Sequence, residues 1–223
     1  MSESDWIFEE LGSGIKALVE RFIDAPHFFY SEQDMHAYLY HRLISGKLGA
    51  FFVKTHFGDE TVLVHREYPT LHVYPGRGRG ARGHFDLGIV DPAYVSESHW
   101  RMQHKEAPYA RHRPKAAVEF GLNAIGTTRL DLTHFRKDFE RLTNPKNAVE
   151  RNNLLFFVRR QDYATNSGLL RTIDSLPERL QQEQNRKRAR NVVVVYAECV
   201  APASRRMKIS RELHQSIDVN QQT

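Results

Sequence analysis

Apolar positions along this chain recur at helical spacing in four segments. Three of the helices that this spacing predicts cover residues 5–24, 131–142 and 168–188. The fourth begins after Ser31, a residue type favoured as an N-cap, and Asp34 stands where the acid of a capping box belongs. Gly46 follows the last apolar position of this helix and predicts its end.

Shorter apolar runs between these helices are typical of β-strands. Four strands are predicted at residues 50–56, 61–68, 84–90 and 115–122, and a hairpin-like turn joins the first two. Two later runs, at residues 154–158 and 192–196, have no polar face, as is usual inside a sheet covered on both sides. Strands that alternate with helices predict an α/β fold, with a central mixed β-sheet flanked by helices.

Two of the predicted strands each carry one carboxylate inside an otherwise apolar run. These residues are Asp86 and Glu119. An unpaired buried carboxylate costs several kcal/mol, so each acid needs a cation, a set of hydrogen-bond donors or a metal ion. If the two strands are neighbours, the two acids can share one divalent cation. Carboxylate and main-chain oxygens suit Mg²⁺ or Mn²⁺, and such an ion can activate water to attack a phosphodiester.

Structural explanations of the same acids remain open from the sequence. Asp86 can be a strand-end carboxylate that accepts hydrogen bonds from turn amides. Glu119 can belong to a buried ion pair with an arginine such as Arg129. Small residues, including Gly88 and Gly121, share the faces of the two acids, and this favours an open cleft over a packed core.

Composition narrows the class of protein. A length of 223 residues with 40% hydrophobic content fits one domain, predicted at residues 1–200, followed by a polar and poorly ordered tail at 201–223. The sequence contains no run of about 18 apolar residues, so no membrane span is predicted. The N-terminus lacks an apolar signal core, and Cys199 is the sole cysteine. An intramolecular disulfide is excluded, and a cytoplasmic location is expected.

The balance of charge favours an anionic partner. The formal net charge is +5 at pH 7 and the pI is about 9.3, and nucleic acid is the commonest partner of such proteins. Three arginines, Arg77, Arg79 and Arg82, lie in a glycine-rich segment that leads directly to Asp86. Beside a metal site they would contact phosphates, although a plain solvated loop explains them equally well.

Several common catalytic signatures are absent from the sequence. It contains no P-loop, no GxSxG nucleophile motif and no dinucleotide-binding fingerprint, and its histidines form no HExxH pair. Nucleotide hydrolysis of the P-loop type, serine hydrolysis and zinc-protease chemistry are therefore not supported.

The order of the remaining pieces resembles the PD-(D/E)XK nuclease superfamily, which has the restriction-endonuclease-like fold. The matching pieces cover about residues 31–160. They are the acidic helix start Ser31–Asp34, the hairpin strand that ends at Val64–Pro69, Phe85-Asp86, Val118-Glu119-Phe120, the helix at 132–142 and the strand at 154–158.

This resemblance implies a metal-dependent endonuclease. Asp86 and Glu119 would hold Mg²⁺ or Mn²⁺, and Glu32 would contribute directly or through water. The substrate would be a nucleic acid, with DNA favoured over RNA. Because relatives with this fold often act as dimers, a homodimer is a further expectation.

Two positions depart from the pattern of the superfamily. Phe85 replaces the proline, and Gly121 stands where the motif has a lysine that steadies developing charge. Lys115 or Lys137 can supply that charge from elsewhere, although Lys115 lies about 13 Å away along an ideal strand. Alternatively Asn123 or His84 takes a weaker version of the role. The remaining alternative is a catalytically inactive protein of the same fold that binds nucleic acid or a protein partner.

Overall fold

The computed structural model describes residues 5–54, 58–74, 81–92, 114–122, 133–186, 192–199 and 205–209. Its α-helices are α1 (Asp5–Asp24), α2 (Glu32–Ile44), α3 (Lys47–Ala50), α4 (Thr133–Thr143) and α5 (Ser167–Arg186). Its strands are β1 (Phe52–Lys54), β2 (Glu60–Val62), β3 (Val64–Tyr74), β4 (Ala81–Val90), β5 (Pro114–Leu122), β6 (Arg151–Arg159), β7 (Val192–Cys199) and β8 (Arg205–Ile209).

Six of these strands form one mixed sheet in the order β3-β4-β5-β6-β7-β8. The strands β3, β4 and β5 run antiparallel to one another, β5, β6 and β7 run parallel, and β8 returns antiparallel to β7. The strands β1 and β2 form a separate two-stranded hairpin. The predicted α/β class and the mixed sheet with flanking helices are confirmed.

Helices cover both faces of the sheet, as the fully apolar strands predicted. Phe157 of β6 contacts Phe22 of α1 at 5.0 Å between ring centroids. Its neighbour Phe156 points the other way and contacts Phe135 of α4. Because successive side chains of a strand point to opposite faces, these two contacts place α1 and α4 on opposite sides of β6. Within the described part of the chain, the helices lack the apolar length that a bilayer span requires.

The predicted start of α2 is confirmed by its cap. The Ser31 hydroxyl accepts a hydrogen bond from the Asp34 amide, and the Asp34 carboxylate accepts one from the Ser31 amide at 2.8 Å. This capping box fixes the first turn and therefore fixes the position of Glu32. Gly14 of α1 lies against Leu39 and Leu43 of α2, which lets the two helices pack closely.

Three segments differ from the sequence-based expectation. The predicted strand at residues 50–56 begins later, since α3 extends to Ala50 and β1 begins at Phe52. The predicted strand at residues 61–68 is divided between β2 and β3, which belong to different sheets. The polar tail was expected to be poorly ordered, but its residues 205–209 form β8 and pair with β7. Among the described strands, β8 pairs only with β7. Its polar and basic sequence is compatible with an edge strand, where charged side chains are common.

Gly88 of β4 is required by close packing rather than by an open cleft. A Cβ atom at this position would lie 2.6 Å from both Cβ and Cγ of Tyr68 on β3. Tyr68 is buried and fills the space that the small residue was expected to leave open. A side chain at position 88 therefore requires the two strands to move apart.

We expect Gly88→Ala and Gly12→Ala to change stability in opposite directions. Gly88→Ala forces Tyr68 away and should lower the free energy of unfolding by about 1–3 kcal/mol. A Cβ at Gly12 of α1 meets no atom within 4 Å, so alanine there should raise stability by up to about 1 kcal/mol through helix propensity. Thermal unfolding monitored by circular dichroism measures both changes. Equal effects of the two variants would contradict the packing role of Gly88.

Candidate metal centre

One cavity of about 300 Å³ collects most of the acidic residues singled out in the sequence. Four carboxylates and one arginine line it, together with apolar side chains of β5, β6 and α4. The charged residues are Glu32, Asp86, Glu119, Asp138 and Arg141. Four acids facing one arginine make the cavity a site that attracts a further cation.

The point at which β4 and β5 stop pairing brings the acids together. The last paired residues in this direction are Leu87 and Val118, so Asp86 and Glu119 directly follow the end of the ladder. Beyond it, the Phe120 amide donates to Asp86 Oδ2 at 2.8 Å, and the Leu122 amide donates to Glu32 Oε2 at 3.2 Å. Two main-chain donors of β5 thus orient carboxylates from β4 and α2.

A buried histidine that the sequence did not single out completes this group. His36 lies one turn after Glu32 on α2, with its Nε2 at 3.5 Å from Asp86 Oδ2 and 3.8 Å from Glu32 Oε1. Its side chain is 1% exposed, and neither ring nitrogen has a hydrogen-bond partner among the described residues. Burial lowers the pKa of His36, which favours the neutral imidazole. Ligand atoms of Glu32, His36 and Asp86 all lie within 4.8 Å of one another.

Glu119 is paired with an arginine instead. The guanidinium of Arg141 on α4 contacts Glu119 Oε1 and the His84 carbonyl, and it lies 3.3 Å from the carboxylate of Asp138. The Glu119 side chain is only 1% exposed. The ion-pair alternative foreseen for Glu119 is therefore present, with Arg141 as the partner; Arg129 lies outside the described residues. The guanidinium occupies the place next to Glu119 where a shared divalent cation was expected.

Burial, and after it the crowding of acids, raises the pKa values of two of the carboxylates. Burial, with the nearby Asp86 charge adding to it, raises the pKa of Glu32 to about 7, while the hydrogen bond from Leu122 opposes the shift. Burial also raises the pKa of Glu119, and Asp86 adds to this effect while Arg141 opposes it. Because 41% of the Glu32 side chain is exposed, solvent screens part of its interaction with Asp86. A bound cation would relieve the repulsion within the cluster.

The two lysines proposed as charge stabilisers lie away from the cavity. Lys115 forms ion pairs with Glu150 and Asp91 near the start of β5, and these bonds hold its ammonium group at the far end of the strand from Glu119. Lys137 is exposed on α4. Neither lysine is among the residues that line the cavity.

The arginines expected to contact phosphate fall largely outside the described structure. Arg77 and Arg79 lie outside the described residues, as does Asn123. Arg82 belongs to β4 and pairs with Val73, but its side chain is not among those described. His84 is exposed and takes part in the site through its carbonyl group, which accepts from Arg141.

The motif position of the missing lysine has little room for a side chain. Gly121 lines the cavity, and a Cβ there would lie 3.0 and 3.1 Å from two ring carbons of Phe156. Phe156 is buried between Phe135 and Tyr196, so its ring cannot move away freely. Glycine at this position therefore leaves the space that the Phe156 ring on the neighbouring strand β6 occupies.

His36, Asp138 and Arg141 are the site residues that sequence reasoning missed. A signal existed for His36, because four residues separate it from Glu32 and this spacing places both side chains on one helix face. No comparable signal marks Arg141, since its role depends on how α4 packs across β5. No protein-family model, curated protein or solved structure matches this chain.

We expect the metal-free protein to lose stability as the pH rises toward 7. Between the usual pKa of 4.5 and the folded-state value of about 7, Glu32 holds a proton only in the folded protein. The free energy of unfolding is therefore highest below this interval and falls across it, and Glu119 acts in the same direction. Glu32→Gln should remove part of this loss and exceed the wild type by about 1 kcal/mol at pH 8 after allowance for screening.

Thermal melts between pH 4.5 and 8.5 in the presence of a chelator provide the measurement. Glu178→Gln, at an exposed position of α5, is the matched control and should follow the wild-type curve. A constant difference between Glu32→Gln and the wild type at every pH would contradict the raised pKa.

Proposed function

We propose that this protein is a metal-dependent hydrolase of nucleic-acid phosphodiester bonds, built on the restriction-endonuclease-like fold. The observation that carries the proposal is the convergence of acids from α2, β4 and β5 with an arginine from α4 in one cavity. Each of the acids implied by the superfamily resemblance, Glu32, Asp86 and Glu119, belongs to this group.

The order and direction of the elements support the fold assignment. The acidic helix α2 precedes the antiparallel strands β3, β4 and β5; α4 then crosses to β6, which runs parallel to β5. This is the order of helix, strands, helix and strand that the resemblance implies. Asp86 and Glu119 occupy the second and third strands of that series.

The chemistry of the donors supports a divalent cation in the cavity. Carboxylates of Asp86 and Glu32 are oriented by main-chain amides, and such fixed oxygen donors suit Mg²⁺ or Mn²⁺. A bound ion would supply a nucleophilic hydroxide and neutralise charge on the phosphate. The net charge of +5 favours an anionic polymer as the substrate, and DNA is proposed ahead of RNA.

Arg141 is proposed to supply the positive charge that the motif lysine supplies elsewhere. It approaches Glu119 from α4, across the cavity wall rather than along the strand. A guanidinium is always protonated and offers a planar set of donors suited to phosphate oxygens. Its Nη1 donates to Glu119 and to the His84 carbonyl, and its Nη2, which lies 3.3 Å from Asp138, carries a second N–H that it can present to a phosphate. Removal of such a charge typically costs about 100-fold or more in rate.

We expect Asp86→Asn to abolish cleavage without unfolding the protein. The assay uses labelled single- and double-stranded DNA and RNA with Mg²⁺ or Mn²⁺, and a chelator serves as the blank. Loss of a metal-binding carboxylate should lower the rate by more than about 100-fold, because even removal of a supporting group costs about 10- to 100-fold.

Asp59→Asn is the matched control, since Asp59 is exposed in the turn before β2, and it should cleave as the wild type does. Melting curves verify that both variants are folded. Wild-type activity in Asp86→Asn, or activity that persists in chelator, would overturn the proposal.

A second candidate function is binding of nucleic acid without catalysis. Two observations favour it: Arg141 already neutralises Glu119, and Phe156 crowds the position of the motif lysine. This candidate predicts no cleavage with either ion, together with binding that weakens steeply as salt increases, since phosphate contacts release counterions. The slope of binding against salt concentration, measured by fluorescence anisotropy, separates it from a protein that does not bind nucleic acid.

A further inference from the structure

We propose that the cavity binds one transition-metal ion through Glu32, His36 and Asp86, and that Arg141 excludes Glu119 from its coordination. This deepens the proposed function by naming the class of ion and its ligands, and it rests on that function only for the use made of the ion. The site differs from the Asp86–Glu119 pair expected from the sequence, because a nitrogen donor replaces the second strand carboxylate.

The spacing of the three ligand atoms fits a metal ion. The Nε2 atom of His36 lies 3.5 Å from Asp86 Oδ2 and 3.8 Å from Glu32 Oε1. Ligands about 2.1 Å from a common ion are about 3.4 Å apart in tetrahedral geometry. The two distances from Nε2 exceed this value by a few tenths of an ångström at most, and the ligand atoms of all three residues lie within 4.8 Å of one another. Three protein ligands leave a fourth position for water, as in catalytic zinc sites.

The state of His36 points to a ligand rather than to a role in packing alone. Its ring is buried against Phe120, with ring centroids 4.4 Å apart, yet within the described part of the chain neither nitrogen has a hydrogen-bond partner. Leaving a buried polar atom unsatisfied costs about 1–3 kcal/mol, so such groups usually have a partner that completes them. The Nε2 atom faces two carboxylates, and a cation between the three would satisfy it.

The carboxylates are held in place by main-chain donors. The Leu122 amide binds Glu32 Oε2, which leaves Oε1 facing His36. The Phe120 amide binds the same Asp86 oxygen that lies near His36, and a carboxylate oxygen can accept this bond and still bind a metal. These bonds fix the ligand positions before an ion arrives, which is the role of an outer coordination shell.

The imidazole determines the class of ion. Mg²⁺ prefers a shell made of oxygen ligands and water, whereas imidazole nitrogen favours Mn²⁺, Co²⁺ and Zn²⁺ in order of increasing affinity. Arg141 limits the number of ions to one, because its guanidinium contacts Glu119 and lies between it and Asp138. A second cation near Glu119 would have to displace this arginine.

The test is direct binding of Zn²⁺, Mn²⁺ or Mg²⁺ to the full chain without an affinity tag, measured by isothermal titration calorimetry in the absence of nucleic acid. We expect one ion per chain and Zn²⁺ affinity at least about 100-fold above that for Mg²⁺. His36→Gln should weaken Zn²⁺ binding by more than about 10-fold and reduce the preference for Zn²⁺ over Mg²⁺. Electron spin echo modulation of bound Mn²⁺ should show imidazole nitrogen, and this signal should vanish in His36→Gln.

One control variant and one comparison variant make the outcome decisive. His41→Gln changes an exposed histidine of the same helix and should leave binding unchanged. Glu119→Gln should lower Zn²⁺ affinity less than His36→Gln does, because Glu119 is paired with Arg141 and is not a ligand in the proposed site. If His36→Gln fails to fold, Glu32→Gln replaces it, since its side chain is partly exposed, and it should show the same loss of Zn²⁺ affinity.

Three results would overturn the proposal: equal affinity for Zn²⁺ and Mg²⁺, a larger loss in Glu119→Gln than in His36→Gln, or nitrogen modulation that persists without His36. Its failure is distinguishable from failure of the proposed function. A protein that binds Zn²⁺ through His36 but cleaves no nucleic acid sustains this inference alone. If the protein cleaves nucleic acid with Mg²⁺ and His36→Gln changes neither cleavage nor metal binding, only the proposed nuclease function is supported.

Discussion

The end of pairing between β4 and β5 is the constraint on which the site depends. Up to Leu87 and Val118 the two strands satisfy each other's main-chain groups. One residue further along, the amides of β5 must find other acceptors, because buried N–H groups are costly to leave unpaired. Carboxylates from β4 and α2 provide them. The separation of β4 from β5 thus leaves space for the cavity and places main-chain donors that orient the acids lining it.

The ion pair between Glu119 and Arg141 then divides the charge of the cavity into two halves. On one side a guanidinium balances a carboxylate that is almost fully buried. On the other side, ligand atoms of Glu32, His36 and Asp86 lie within 4.8 Å of one another, and Arg141 is the one cationic residue among the described residues that line the cavity. Breaking a buried pair by removing one partner costs about 3–5 kcal/mol because the other charge is left unpaired, so replacing Arg141 alone should destabilise the folded chain. Acids that line the same cavity therefore differ in their surroundings: Glu119 belongs to an ion pair, whereas Glu32 and Asp86 lie beside the neutral side chain of His36.

Much of the architecture was predictable because it depends on local pattern. The fully apolar runs of β6 and β7 indicated a sheet covered on both faces, and Ser31 with Asp34 indicated the start of α2. The edge strand β8 was missed because its basic residues resemble a solvated tail, and pairing with β7 is not visible in its own sequence. Gly88 was linked to an open cleft, but Tyr68 on the neighbouring strand β3 fills the space beside it, and this contact is not visible in the sequence.

The site was predictable only in part, for a related reason. Asp86 and Glu119 stood out because a lone acid in an apolar run needs a partner, but the nature of that partner depends on packing. Arg141 reaches Glu119 because α4 crosses the sheet at that point, which no spacing within the helix reveals. His36 was within reach of sequence reasoning through its spacing from Glu32. Lys115 was proposed from its position on the same strand as Glu119, but its ammonium group pairs with Glu150 and Asp91 instead.

The pairing of β8 with β7 has a consequence for how the chain completes its fold. All eight residues of β7 are buried, and among the described residues the partners of its outer edge, from Val195 to Cys199, are residues 205–209. During synthesis this part of β7 is made before its partner, so its outer edge is unpaired until β8 follows. An unpaired apolar edge can pair with another nascent copy of the chain. Pairing with β8 therefore covers the edge of β7 through which the newly made sheet would otherwise associate with another copy.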